Sequence, residues 1–475
     1  MESVRNGYTF IKLLGTGLYG KVWLIQDNVS GERYACKEVA IDPILSGLET
    51  YREIDVVSRI NHHNIIKYKS IFFDISTNSN EKAGFYVMTL ADETLQELLS
   101  RKNISSDEQL RFIYEIFSAV YCLHQGGIYH CDIKPDNILI KDDYTLLSDL
   151  GLAYYIDSIK GNCATIDYSS PENLFISYGD KYEQLRKYSD KYGYPSTLED
   201  LDYDTVEIWE LGILTMFITK KTKGSIWSVE GDVIPEILSF ISNEKEYFNK
   251  LGINERYHPL LLRMLDPDPN TRIKSIDECL RYDVFEENSY SSPIPGTIIN
   301  RGLLLVITSN NDYNIVVQWI SDVLVDSNCL AVTYFCAVDL FYRCISSGLS
   351  KEYTNLQAIG CSVILLSTNL HEAEGGIPAI TLSEDTEDSV STETIIDITF
   401  NVLLRLKGIL NVKTLYDYAF SKQSLKEGYL LTLDCSSYKD IDPKFYMMML
   451  ESKETTEERE SRENKTFILL EDLIK

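Results

Sequence analysis

The sequence predicts an α+β chain: a strand-rich beginning, a longer helical part, and a second, all-α unit. Three observations carry this. Residues 8–40 and 68–90 alternate apolar and polar side chains with the two-residue period of strands. Residues 44–60 and most of 92–285 follow the helical period instead. A turn-rich segment, Ser291-Ser292-Pro293-Ile294-Pro295-Gly296, then leads into residues 298–450, which are again helical.

Length and composition bound the answer. A chain of 475 residues predicts two or three domains, and 44% hydrophobic residues suffice for sizeable cores. The formal net charge of −27 argues against nucleic acid or an anionic membrane as a partner. Ten cysteines lie without CxxC pairs or histidines at zinc spacing, as buried thiols in a reducing compartment would. Met1 to Tyr8 has no apolar signal region, and no run approaches the ~20 apolar residues of a membrane span. A soluble, intracellular protein is expected, with nucleus and cytoplasm equally open.

The glycine run Gly15-Thr16-Gly17-Leu18-Tyr19-Gly20-Lys21-Val22 has two readings. A dinucleotide-binding turn needs a helix after the glycines. Here Lys21-Val22-Trp23-Leu24-Ile25 alternates as a strand, so the run reads as a phosphate-covering hairpin, where backbone amides approach phosphate closely. Lys37 follows in an apolar strand, and Glu53 lies in the helical stretch 44–60. Next comes His130-Cys131-Asp132-Ile133-Lys134-Pro135-Asp136-Asn137, then Asp149-Leu150-Gly151. A carboxylate such as Asp132 can accept a hydroxyl proton and orient its attack. Asn137 and Asp149 offer the hard oxygens that Mg2+ prefers.

In order and spacing these elements, with Ser170-Pro171-Glu172, resemble the eukaryotic protein kinase family over residues 8–285. The resemblance implies a bilobal kinase domain over 1–288, with an N-lobe at 1–91 and a C-lobe at 92–288. It implies ATP and Mg2+ as cofactors, Asn137 and Asp149 as metal ligands, and a protein serine or threonine hydroxyl as substrate. Nucleotide contacts are implied at Leu14, Gly15, Thr16, Gly17, Leu18, Tyr19, Gly20, Val22, Ala35, Lys37, Met88, Thr89, Ala91 and Leu139. Lys37 would hold the α- and β-phosphates and pair with Glu53. The segment from Tyr51 to Ile66 is similar to the regulatory helix of cyclin-dependent kinases. Asp132, Lys134 and Thr165 would form the catalytic group, and Lys134 resembles the serine/threonine branch. Glu172 and Arg272 match the family's buried ion pair.

The chain departs from the family in four places. The arginine before the catalytic aspartate is Cys131, so activation by a phosphate docked there is not expected. Leu150 replaces the phenylalanine after Asp149. Glu207 stands where the long helix usually has aspartate, and Ser169 stands where proline-directed kinases often carry arginine. Residues 173–206, rich in tyrosine and charge, read as an insertion.

Residues 289–297 read as a linker and 451–475 as a charged tail. Within 298–450, the segments 318–323, 337–346 and 356–372 are similar in order and spacing to the cyclin box. That implies an intramolecular cyclin-like partner packing on helix 44–60 through Leu48 and Tyr51. The lysine and glutamate that cyclins present to a kinase fall at Asn369 and Thr399, and the aspartate before Arg343 is Tyr342. The acidic run 383–389 reads as an exposed loop. A kinase and a cyclin in one chain suggest a compact, virus-like genome. The competing reading is a non-catalytic scaffold whose cyclin-like part binds another kinase. A scaffold has no need of Lys37, Asp132, Asn137 and Asp149 together.

Overall fold

The structure, a computed structural model, describes residues 3–17, 20–40, 48–77, 82–155, 165–222, 224–227, 231–286, 290, 292–298, 311–372, 376–408 and 410. The chain divides into two compact units. The first joins Met1–Ala40 to Val56–Ile299, and the second joins Ile41–Asp55 to Asn300–Lys475. The first unit thus takes in residues 289–297, and the second begins at Asn300. The larger departure is that a short N-terminal segment belongs with the C-terminal unit. Leu18, Tyr19 and the tail 451–475 lie outside the described residues.

The first unit opens with strands β1 (Ser3–Arg5), β2 (Tyr8–Gly17), β3 (Gly20–Asp27) and β4 (Arg33–Ala40). Helix α1 (Leu48–Arg59) runs into the short strand β5 (Ile60–Asn61), then β6 (Tyr68–Ile75) and β7 (Lys82–Met88) follow. The six-stranded sheet has the order β1-β2-β3-β4-β7-β6, with antiparallel neighbours throughout. The two-residue period explains its core. Tyr8, Phe10, Ile25, Cys36, Phe72, Phe85 and Val87 form one buried cluster, with Phe72 and Phe85 stacked 5.0 Å apart. Cys36 faces that cluster, so Ala35 and Lys37 share the opposite face.

The helical part begins with β8 (Glu93–Thr94), α2 (Leu95–Arg101) and α3 (Ser106–Gln125). Both helices start with a capping box: Thr94 with Glu97, and Ser105 with Glu108. Strands β9 (Ile128–Tyr129), β10 (Ile138–Lys141), β11 (Tyr144–Leu147) and β12 (Tyr154–Tyr155) frame the two loops of interest. Next come α4 (Pro171–Tyr178), α5 (Glu183–Tyr192) and α6 (Tyr203–Thr219). The unit closes with α7 (Ile234–Ser242), α8 (Glu244–Leu251), α9 (His258–Met264), α10 (Ile276–Cys279) and α11 (Asp283–Glu286). Helix α6 is buried along nearly its whole length and forms the axis of this part.

The segment read as an insertion is folded in. Leu185 and Tyr194 are buried, and the Tyr194 hydroxyl donates to Pro267 O at 2.8 Å. The segment read as a linker is docked rather than free. Tyr114 Oη donates to Ser292 O (2.8 Å), Ile294 N donates to Ser118 Oγ (3.0 Å), and His62 Nε2 meets Ile294 O (3.0 Å). Strand β13 (Thr297–Ile298) then pairs antiparallel with β5. Gly296 is needed there, since a Cβ would lie 2.3 Å from Cys122 Sγ.

The second unit holds α12 (Asn311–Asp326), α13 (Ala331–Ser346), α14 (Leu356–His371), α15 (Ala379–Glu384) and α16 (Thr392–Arg405). Fourteen residues of α14 are buried, which makes it the central helix of this unit. Asn369 and Thr399 are fully buried, with their side chains bonded to Leu365 O and Ile395 O of their own helices. The acidic run starts at the end of α15 and continues as a turn: its four acids and Ser389 are exposed, while Ser383 and Thr386 are buried and hydrogen-bonded. The start of α1 is part of this unit. Arg52 Nε and Nη2 donate to Leu370 O (3.3 Å) and Glu372 O (3.0 Å), and Asp55 Oδ1 accepts from Leu410 N (2.5 Å). Tyr51 is buried, while the Leu48 side chain lies outside the described residues. Among the described residues no helix is long and apolar enough to cross a membrane.

Candidate functional site

The sheet of the first unit assembles one end of the site through strand register. Val22 on β3 stands opposite both Gly15 on β2 and Lys37 on β4, and Ala35 stands opposite Met88 at the end of β7. Leu14 and Thr16 flank Gly15 on β2, and Leu14 is exposed. Gly20 has a stricter requirement than Gly15. Its φ is +144°, and a Cβ would sit 2.2 Å from Glu38 O. Gly15 has open space around it, so its requirement is access rather than fit. Thr89 and Ala91 follow β7, with Thr89 N donating to Lys67 O at 3.2 Å. Leu139 lies on β10, paired with Leu146 and Thr94 in a separate three-stranded sheet.

Lys37 Nζ bonds Asp149 Oδ1 at 3.0 Å, joining residues 112 positions apart. Asp149 adopts the left-handed conformation (φ 60°, ψ 66°), uncommon for a residue with a side chain. Glu53 is buried and belongs to the compact unit that contains residues 41–55.

The densest network surrounds Asp132. Lys134 Nζ lies 2.6 Å from Asp132 Oδ2 and donates to Thr165 Oγ1 at 2.9 Å. Thr165 Oγ1 in turn donates to Asp132 Oδ1 at 2.9 Å. Asn137 Nδ2 donates to both the backbone O (2.8 Å) and Oδ2 (2.9 Å) of Asp132. Burial alone would raise the Asp132 carboxyl, but Lys134, His130 and the Thr165 hydroxyl outweigh it and hold the group below its ordinary range. Asp132 is thus kept ionised inside a half-closed pocket of donors.

Two residues of α6 hold this loop in place. Glu207 Oε1 accepts from Cys131 N at 2.7 Å, and Glu210 Oε2 accepts from Ile133 N at 3.1 Å. Both glutamates are fully buried, so backbone amides and His124 (2.6 Å from Glu207 Oε2) satisfy charge that would otherwise be costly. Glu210 was not singled out from sequence. The signal was there: two acids three residues apart on an otherwise apolar helix require donors nearby. The Asp149 side of the site is tied to the loop by His130 Nε2, which meets Ser148 O (3.0 Å), and by Ser148 N and Oγ, both donating to Asn137 O (2.9 Å).

Cys131 has φ +63° and turns its side chain into an apolar cluster with Tyr129, Tyr154, Leu201, Tyr203 and Val206. Ser169 is buried, and Leu150 fills an apolar position with no exposed surface. Glu172 and Arg272 form a two-pronged pair, Nη1–Oε1 2.6 Å and Nη2–Oε2 3.0 Å, with Arg272 also donating to Thr205 O and Asp266 O. This pair sits away from the Asp132 network and braces the unit.

The donor set fits a magnesium nucleotide. With the Asn137 amide nitrogen committed to Asp132, its Oδ1 is the atom turned away from that carboxylate, and Asp149 keeps a partly exposed carboxylate on an ammonium.

A family model described as the protein kinase domain matches residues 8–285. Among curated proteins, extracellular signal-regulated kinase 1 of Dictyostelium discoideum is 26% identical over 304 residues, or 60% of this chain and 56% of that protein. Mitogen-activated protein kinase pmk-1 of Caenorhabditis elegans is 30% identical over 258 residues, 51% and 62% of the two chains. Mitogen-activated protein kinase 14 of Xenopus laevis is 26% identical over 315 residues, 60% and 81% respectively. The chain thus spans 56% and 62% of the first two relatives' own lengths. A family match over more than half of the sequence, on a folded unit that closes around Asp132 and Lys37, places this chain in the protein kinase domain family.

Proposed function

We propose that the chain is an ATP-dependent serine/threonine protein kinase whose helix α1 is governed by its own C-terminal unit. The observation that carries the catalytic part is the closed network of Asp132 with Lys134, Thr165 and Asn137. In this reading Asp132 orients the substrate hydroxyl and takes its proton as the oxygen–phosphorus bond forms. Lys134, bridging Asp132 and Thr165, offers its ammonium to the transferring group. Lys37, now on Asp149, moves to the phosphates when nucleotide enters. Asn137 and Asp149 would hold magnesium, which would supply positive charge beside the phosphates. Nearly all of the rate comes from positioning and electrostatics. The Lys134–Thr165 bond supports the serine/threonine assignment.

The regulatory part is a cyclin-like role for residues 300–410. It is supported by the order and spacing of their helices and by the hydrogen bonds of Arg52 and Asp55. Glu53, between those two residues, would reach Lys37 only when α1 is correctly seated.

The test is transfer of radiolabelled γ-phosphate to a protein substrate, with identification of the modified amino acid. Phosphoserine or phosphothreonine is expected. Asp132→Asn should lower turnover more than nucleotide affinity, and Lys37→Met and Asp149→Asn should each abolish transfer. Transfer by Asp149→Asn at the unmodified rate would remove the enzyme reading and favour a scaffold.

A further inference from the structure

The protein carries 72 acidic and 45 basic residues, yet one cavity reverses this balance. It has a volume of about 250 Å³ and lies where the α2–α3 connection meets the end of α6 and the loop after α8. Lys102, Lys220 and Lys221 line it, with Asn103, Gln109 and Asn254, and no aspartate or glutamate does.

Lys220 is unusual. Half-buried at the end of α6, its ammonium donates to the carbonyls of Thr222 (3.0 Å) and Gly224 and lies 4.5 Å from the Phe217 ring. Burial holds its pKa below the usual lysine value. Among the described residues neither Lys220 nor Lys221 has a carboxylate within ion-pair distance, while Lys102 has a loose one, Glu108 at 3.8 Å. A cation at a helix C-terminus is stabilised by the helix dipole, and that accounts for Lys220. It does not account for Lys102, brought from a different segment, nor for the amide lining. Asn254 Oδ1 already accepts from Arg256 N at 3.1 Å, so its amide N–H groups are the side left to serve the cavity.

We propose that this cavity is a receptor for a phosphoryl group, carried on a phosphorylated serine or threonine of a protein partner. The proposal does not depend on the chain's own catalysis. A phosphoryl group bears close to two negative charges and three acceptor oxygens, matching the ammonium groups of Lys102 and Lys221 and the amides, with the Lys220 charge behind them, better than a single carboxylate would. Nucleic acid is disfavoured because a long polyanion would meet the −27 net charge, whereas one recessed phosphoryl group feels mainly the local lysines within a Debye length of roughly 8 Å.

The experiment uses the full chain with magnesium and a non-hydrolysable ATP analogue present, so that the Asp132 site is filled. A fluorescent phosphoserine peptide and its unphosphorylated counterpart are titrated by anisotropy, with inorganic phosphate as competitor. Roughly tenfold or tighter binding of the phosphopeptide is expected. That preference should vanish in Lys102→Glu/Lys221→Glu, whose exposed side chains leave the fold intact by thermal melting. Lys102→Met/Lys221→Met, which removes charge without reversing it, should give an intermediate loss. Displacement by a large excess of inorganic phosphate supports the site. Equal binding of the two peptides, or an unchanged preference in both double variants, overturns it. Inorganic phosphate binding as tightly as the phosphopeptide overturns the phosphoprotein as the source.

Discussion

Glu207 Oε1 accepts the backbone N–H of Cys131 at 2.7 Å, so a fully buried carboxylate fixes the peptide just before Asp132. Its other oxygen is on His124 at 2.6 Å. Cys131 itself is held at φ +63°, a strained setting for a residue with a side chain, so the loop needs that anchor.

Glu207→Ala should therefore act twice. It leaves the Cys131 amide and His124 without their buried acceptor, which costs about 2–4 kcal/mol in urea unfolding. It also frees the Asp132 loop, so phosphotransfer should fall in the protein that remains folded. Glu207→Asp should keep most of the stability. Equal unfolding midpoints for Glu207→Ala and the unmodified chain would contradict the anchor.

Cys131 plugs an apolar cluster where the family has an arginine. An activation-loop phosphate has no guanidinium to meet at this position. Phosphatase-treated protein should retain its phosphotransfer activity. Cys131→Arg should not restore a phosphate site. It would force a charge among Tyr129, Tyr154 and Tyr203 and lower stability by about 3 kcal/mol or more. A well-folded Cys131→Arg protein whose activity becomes phosphate-dependent would show the cluster to be adaptable instead.

How far the sequence was legible follows from the range of each interaction. Phosphate and metal chemistry need particular side chains at short spacings, so Lys37, Asp132, Asn137 and Asp149 could be named from local motifs. The strand period likewise separates Cys36 from Lys37. Contacts hidden from sequence are those made across long stretches of chain by residues of ordinary type. Glu210 looks like one more helix acid until Ile133 N is found beside it. Residues 292–298 carry linker composition, yet Ser118, Tyr114 and His62 each hold their backbone. The run 383–389 is acidic, but Ser383 and Thr386 spend their hydroxyls on local carbonyls and turn inward. Pattern reports which residues tolerate water, not which backbone groups will seek a distant partner.

His62 makes the Asn64 turn sensitive to acid, because a protonated Nδ1 can no longer accept from Asn64 N. Its Nδ1 accepts from Asn64 N at 3.0 Å, so the neutral ring donates from Nε2 to Ile294 O. Burial lowers its pKa below 6.5, outweighing the bond to Ile294 O, which favours the charged ring, and His63 and Lys67 add to the lowering. The unfolded chain then binds this proton before the folded one does. Stability from the neutral ring is complete above about pH 6.5 and is lost as pH falls through the lower folded value. Amide exchange at Asn64 should accelerate on acidification more than exchange in α6, after correction for intrinsic rates. His62→Gln should remove that difference. Uniform acceleration across the unit would mean that the ring is not the trigger.

Arg52 and Asp55 decide how the start of α1 is held. The guanidinium donates to Leu370 O and Glu372 O at the end of α14, where carbonyls lack helical partners, and Asp55 receives Leu410 N. Glu53 lies between them, one residue from the first and two from the second. The clamp should therefore set the population in which Glu53 can serve Lys37. Arg52→Ala removes both donors, and Arg52→Lys cannot span the two carbonyls as a fork does. If each lost contact is worth about 1.5–3 kcal/mol, seating of α1 should weaken by roughly tenfold or more. Turnover should drop accordingly in both variants, with the apparent affinity for nucleotide falling too. Asp55→Ala should act in the same direction. Severing the chain near residue 299 is a poorer test, because it strips the second unit of residues 41–55, with which it forms one compact body. The point variants avoid that problem. Normal turnover in a folded Arg52→Ala/Asp55→Ala double variant would show that the C-terminal unit does not set the kinase's activity through α1.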